Sequence, residues 1–318
     1  MTEKYVSSAV KAVPPSGIRK FFDIASEMKD CISLGVGEPD FDTPWNIRES
    51  AIYALESGRT HYTGNHGSTD LRQEILRYMD TRFGLSYEIE QSVVTVGASE
   101  ALDLAFRAIM NPGDEVLVPA PSYVSYMPGI SFAGGVPVPM QLQESDNFII
   151  TPDSIRNAIT DKTKAIVIAF PNNPTGAIMT KAQYEQIIDI IIEHDLLVIS
   201  DEIYAELTYG SKHCSIASLP GMLERTVVIN GFSKAFAMTG FRLGYAVGPL
   251  PIIDAMVKIH QYSMLCASVI SQDAGCEALR HGCNTGFADV EKMAGEYNRR
   301  RRLMYKSLNE MGLTCFEP

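Results

Sequence analysis

Five short apolar runs, each closing on small or polar residues, constrain this chain more than any other feature. They are SVVTVG (92–97), EVLVPAPSY (115–123), KAIVIAFPNNPTG (164–176), LLVISDEIY (196–204) and TVVINGFSK (226–234). Runs this apolar have no side to show to water, so they read as strands buried on both faces. Helix-patterned segments alternate with them. ASEALDLAFRAIM follows the first run, and after the third a capping box, Thr180 with Gln183, opens a helix reaching about His194. Strands alternating with helices predict an α/β fold of three layers, αβα, around a mostly parallel sheet. Upstream, helices are expected at 46–56 and 68–83. From Pro251 onward the pattern is helical, and 289–312 reads as one long helix with apolar Met293, Tyr297, Met304 and Leu308. The arginines Arg299 to Arg302 read as its solvated face. The last residues, LTCFEP, read as the opening of a strand.

At 318 residues the chain is long for one core, which predicts a large domain with a smaller one. The expected division is an N-terminal segment over 1–40, a large domain over 41–250, and an interdomain helix with an incomplete small domain over 251–318. The net charge of −11 argues against nucleic-acid binding. The longest apolar stretch, IIDIIIEHDLLVIS, is broken by Asp189, Glu193, His194 and Asp195, so no membrane span is expected. The six cysteines, Cys31, Cys214, Cys266, Cys276, Cys283 and Cys315, form no CxxC pair and no metal-type spacing. With no apolar signal segment at the N-terminus, they read as free thiols in a reducing, cytoplasmic setting.

In open parallel sheets ligands bind beyond the carboxyl ends of the strands. There the chain places Gly97, Ala98 and Ser99, then Tyr123, Asn173, Asp201 with Tyr204, and Lys234 with Arg242. Each has a plainer structural reading: a helix cap, a packed aromatic, a turn, a solvated cation. Their arrival at successive strand ends assembles a set with one chemistry. Backbone donors and a guanidinium suit a phosphate. Tyr123 offers a face to an aromatic ring, Asp201 a partner for a protonated ring nitrogen, and Asn173 and Tyr204 donors for a ring oxygen. Lysine is the side chain that forms an imine with an aldehyde. The set describes pyridoxal 5′-phosphate held by Lys234.

The same residues resemble the class I/II aminotransferases among the fold-type I pyridoxal-phosphate enzymes, in the branch of prokaryotic aspartate and aromatic aminotransferases. SKAFAMTGFRLG (233–244) carries the lysine segment, with NPTG (173–176), DEIY (201–204), LGVGEPDFDTP (34–44), TVGASEAL (95–102) and PAPSYVSY (119–126) in the family's order. The resemblance implies transamination between an L-amino acid and a 2-oxo acid by a ping-pong route. It assigns phosphate to Ala98, Ser99, Ser233 and Arg242, ring stacking to Tyr123, the ring oxygen to Asn173 and Tyr204, and the ring nitrogen to Asp201. Lys234 is the imine lysine and the proton carrier. Gly37 and Asn173 lie by the substrate, and Tyr62 reaches the phosphate of the neighbouring subunit in a homodimer. The chain departs from the pattern at Gly231, where many members carry a phosphate-binding serine. It also stops before the stretch that carries the family's carboxylate-binding arginine, so the resemblance implies a fragment or an under-packed small domain. A β-lyase acting on C–S bonds and a non-catalytic cofactor-binding protein share these motifs. A phosphate-loop nucleotide enzyme does not, because no GxxxxGK[ST] occurs.

Overall fold

The five runs form strands, and two further segments join them. In the computed structural model, which describes residues 2–15, 21, 24, 27, 28, 30 and 37–318, the strands are β1 (Ser92–Thr95), β2 (Glu115–Ala120), β3 (Val136–Gln141), β4 (Thr163–Ala169), β5 (Leu197–Asp201), β6 (Thr226–Gly231) and β7 (Gly244–Val247). Cys31 and the first residues of LGVGEPDFDTP, 34–36, lie outside the described residues. The seven strands make one sheet in the order β1-β7-β6-β5-β4-β2-β3. All neighbours are parallel except β7, which runs antiparallel to both β1 and β6.

The main helices are α1 (Trp45–Glu56), α2 (Thr69–Phe83), α3 (Gly97–Ile109), α4 (Lys181–Glu193), α5 (Leu250–Ser263), α6 (Val269–Thr285) and α7 (Ala288–Glu310). They start where the sequence signals them. The Ser68 side chain caps α2, and Thr180 caps α4 with Gln183 reciprocating. Successive strand residues point to opposite faces. Val93, Val116, Val118, Val167, Val227 and Ile229 pack beneath α3 and α5. Their neighbours Leu117, Ile166, Ile168 and Val198 face the other way, onto Tyr184, Ile187 and Ile191 of α4. Val94, Val228 and Val247 continue that second face beneath Leu71, Ile75 and Met79 of α2 and Ala274, Ala278 and Leu279 of α6. The three-layer expectation is met.

Five details differ from the sequence reading. The run VPVPMQ forms β3 although it contains Pro137 and Pro139, because it pairs only with β2 at the sheet edge. There a missing N–H leaves no ladder partner wanting. Strand β7 is four residues long and begins at a glycine, below what a periodicity argument detects. Residues 313–318 form no strand. Leu313 instead closes α7 with a backbone bond to Leu308, and residues 314–318 make no backbone hydrogen bond to a strand among the described residues. The arginine run is not uniformly solvated. Arg300 bonds Asp40 and Glu296 and lies over the Phe41 and Tyr297 rings, and Arg301 lies over Tyr209 and bonds Asn298 and Glu317. In the same helix Met304 is exposed rather than packed.

No helix among the described residues is long and apolar enough to cross a membrane, and no described group of His, Cys, Asp and Glu is arranged to hold a metal.

Candidate active site

Strand β1 ends at Thr95, and two residues later α3 begins. Gly97 holds φ +75°, a conformation glycine adopts without strain. The Thr95 hydroxyl donates to the Gly97 carbonyl at 2.9 Å and pins the turn. The first N–H groups of a helix have no partner within it. Here the Val96 N–H donates to Glu100 at 2.5 Å, while those of Gly97, Ala98 and Ser99 meet no acceptor among the described residues. Two backbones crowd this point. A Cβ added to Gly244, the first residue of β7, would lie 2.4 Å from the Ala98 nitrogen. One added to Gly97 would lie 2.6 Å from Nη2 of Arg242. Arg242 is left-handed at φ 49° and donates through Nη1 to the Thr239 carbonyl at 3.0 Å. A guanidinium therefore faces three free amides at the positive end of a helix, which is an anion site by composition.

Asp201, at the end of β5, is buried. Its Oδ2 accepts from the Tyr126 hydroxyl at 2.8 Å, and its Oδ1 from the Ile203 N–H at 3.2 Å. Burial raises its pKa, the two hydrogen bonds pull it back, and neighbouring Glu202 raises it further. A buried carboxylate of this kind is poised for a cationic or proton-bearing partner. Beside it stands Tyr204, whose phenol is pushed up first by burial and then by the Asp201 charge, with the Asn173 side chain opposing. Asn173 sits in a loop organised by Asn172, which accepts from the Thr175 N–H and hydroxyl and donates its own N–H to Ala177. Tyr123 meets the Tyr126 ring edge-on, with centroids 5.6 Å apart.

Lys234 lies three residues beyond β6. Its Nζ is 5.7 Å from the centre of the Tyr204 ring and donates to the Gly37 carbonyl. Burial lowers its pKa, Glu38 opposes that, and the Arg242 charge adds to the lowering. Tyr204 thus borders the amine on one side and feels the Asp201 carboxylate on the other. Strands β5 and β6 are parallel neighbours, so the two groups rise from one edge of the sheet.

The structure therefore gathers Gly37, Ala98, Ser99, Tyr123, Asn173, Asp201, Tyr204, Lys234 and Arg242 around one end of the sheet. Ser233 is beside them, partly buried, and its hydroxyl makes no hydrogen bond among the described residues. Tyr62 is not drawn in. It is 82% exposed, on a segment tied down by the Asn65–Gln261 and Thr63–Gln272 hydrogen bonds. At Gly231 an added Cβ would lie 3.0 Å from the Leu243 carbonyl oxygen and 3.1 Å from the Gly244 Cα, so a side chain there would be crowded by the start of β7. Sequence reasoning missed Tyr126, the partner of Asp201, although it stands in the PSYVSY block. It also missed Glu202, buried among Ser200, Ser215 and His213, and the His260–Glu100 pair. Glu202 carried a signal, a second carboxylate within a buried strand end. The contacts of His213 and His260, 11 and 160 residues away from their partners, carried none.

Known proteins resemble this chain in sequence and fold. The family model described as aminotransferase class I and II matches residues 29–318. An aspartate aminotransferase of Pyrococcus abyssi is 46% identical over 315 residues, 98% of this chain and 80% of its own length. An aromatic-amino-acid aminotransferase of Thermococcus litoralis is 43% identical, with 98% and 80% covered. The solved structure of the Thermus thermophilus aspartate aminotransferase with maleate superposes with a TM-score of 0.94 at 40% identity, covering 98% of this chain and 82% of that one.

Proposed function

This chain belongs to the aminotransferase class I and II family and is an enzyme that moves amino groups between amino acids and 2-oxo acids, and from that premise we propose how its residues do so. The donor set fits pyridoxal 5′-phosphate. Three amides without acceptors face Arg242 at one end, and a buried carboxylate stands at the other. The separation of these ends by an aromatic wall that also meets a primary amine carries the reading.

When bound, the cofactor supplies an electron sink for negative charge at the substrate Cα. The chain's residues supply the rest. The amides of Gly97, Ala98 and Ser99 and the Arg242 guanidinium take the phosphate, with Ser233 beside them. Asp201, oriented by Tyr126 and Ile203, keeps a proton on the ring nitrogen. Asn173 and Tyr204 donate to the ring oxygen, and Tyr123 stacks on the ring. Lys234 would hold the cofactor through its amine, which a substrate amine would displace. The freed amine would take the proton from the substrate Cα and hold it for return. Its lowered pKa suits that task, because an amine must be neutral to accept a proton. Gly37 and Asn173 border the substrate. The exposed Tyr62 serves the phosphate of a second copy, which makes the working unit a homodimer. Relatives named for aspartate and for aromatic amino acids support acidic and aromatic L-amino acids as the substrate class.

Lys234→Ala tests the assignment. The parent should show the visible absorption of an imine-bound cofactor when loaded and transfer the amino group of aspartate to 2-oxoglutarate. The variant should lose both, and retention of either one refutes the role of Lys234.

A further inference from the structure

One buried pair stands outside the residues that would touch the cofactor. His260 is on α5, in the stripe Ile253, Met256, Val257, His260 that packs against α3. Its side chain is fully buried, and Nδ1 lies 2.7 Å from Oε1 of Glu100, itself 9% exposed. A carboxylate only accepts, so Nδ1 carries the proton. Nε2 is buried with no partner among the described residues. The other oxygen of Glu100 accepts from the Val96 N–H.

That second bond matters because Glu100 sits in the first turn of the helix whose amides receive the phosphate. A mobile carboxylate there competes in two ways. It can turn to the free amides of Gly97, Ala98 or Ser99, and its charge repels an incoming dianion. Bonded to His260 on one oxygen and to Val96 on the other, it is kept off those three amides and its charge is fixed on the Val96 side of the turn. The Val96 N–H, the one first-turn donor not needed, is consumed, and the other three stay free.

We propose that His260 is a positioning residue for the phosphate cradle, holding Glu100 on the Val96 amide so that the amides of Gly97, Ala98 and Ser99 remain open to the ligand. This rests on the cradle assignment made above. It commits the pair to phosphate affinity rather than to general stability.

The test compares pyridoxal 5′-phosphate, pyridoxal and inorganic phosphate as ligands of the cofactor-free protein. His260→Leu fills the ring's space without a donor, and His260→Asn keeps an N–H near the Nδ1 position. The leucine variant should bind pyridoxal phosphate and inorganic phosphate about tenfold more weakly, the worth of one hydrogen bond to a charged group. Its pyridoxal affinity should stay within about twofold, and asparagine should restore most of the loss. Equal weakening of pyridoxal and its phosphate, or no weakening of either, overturns the proposal. Should the leucine variant not fold by far-UV circular dichroism, His260→Met decides. Its unbranched side chain fills the space without a donor, so it should show the same phosphate-selective loss, and an unselective effect counts against the pair. A parent protein that fails to bind pyridoxal phosphate refutes the cradle itself, whereas a parent that binds it with variants unaffected refutes only the role of His260.

Discussion

Replacing Gly244 by alanine should damage phosphate binding by displacing the turn that carries the Gly97 and Ala98 amides. The added Cβ would stand 2.4 Å from the Ala98 nitrogen, 2.5 Å from the Gly97 carbonyl carbon and 3.0 Å from the Gly97 Cα. Non-bonded heavy atoms settle at about 3.5–4.0 Å, so the β7 and α3 backbones must part by about 1 Å. Neither is a flexible side chain that can swing aside. Overpacking of this kind costs about 1–3 kcal/mol. For a chain of 318 residues that is a fall of roughly 1.5–4.5 °C in melting midpoint. The larger effect is on the site, because a displacement near 1 Å of groups that position a ligand can cost about 10²-fold. Gly240, with no atom within 4 Å of its added Cβ, is the control. Thermal unfolding followed by circular dichroism, together with titration of both proteins by pyridoxal phosphate, reads the two effects. If Gly244→Ala matches Gly240→Ala in midpoint and in cofactor affinity, the contact between β7 and the cradle does not set the site's geometry.

Three further perturbations follow from the electrostatics. Asp201 has a raised pKa, chiefly through burial, so the folded apoprotein binds more protons than the unfolded chain between the two values. Its contribution is therefore fully present below the ordinary aspartate pKa of about 3.9 and is lost as pH rises through the folded value. Asp201→Asn should remove that slope, leaving a cofactor-free variant more stable than the parent at neutral pH but without transamination. A steeper slope in urea unfolding across pH contradicts this. Lys234 is lowered by burial and by Arg242 while Glu38 holds it up, so Glu38→Gln should move its titration to lower pH. The pH dependence of its chemical modification in apoprotein, followed on the Lys234 peptide, checks the direction, and a shift to higher pH contradicts it. Glu202 is 1% exposed and receives bonds from Ser200, Ser215 and His213. Glu202→Ala should cost about 1–3 kcal/mol for each buried donor it leaves without an acceptor. A loss below about 1 kcal/mol in denaturant unfolding would place those bonds among exposed ones in energy.

Much of this enzyme is written locally. The apolar runs determined five strands because a strand buried on both faces needs an unbroken apolar stretch, and Ser68 and Thr180 marked helix starts because an N-cap bond is made within one turn. The residues just beyond those strands supplied the candidate site, since a parallel sheet sends its carboxyl ends to one edge. The rest was decided by contacts between distant segments. Only the packed sheet lets Pro137 and Pro139 lie in a strand, by placing them at its edge. Only the approach of β7 to α3 sets Arg242 against Gly97. Only α5 crossing α3 brings His260 to Glu100. A sequence determines what each segment can bury or bond within its own few residues. Which buried polar group meets which partner depends on the layers closing over each other, and that is settled by tertiary packing.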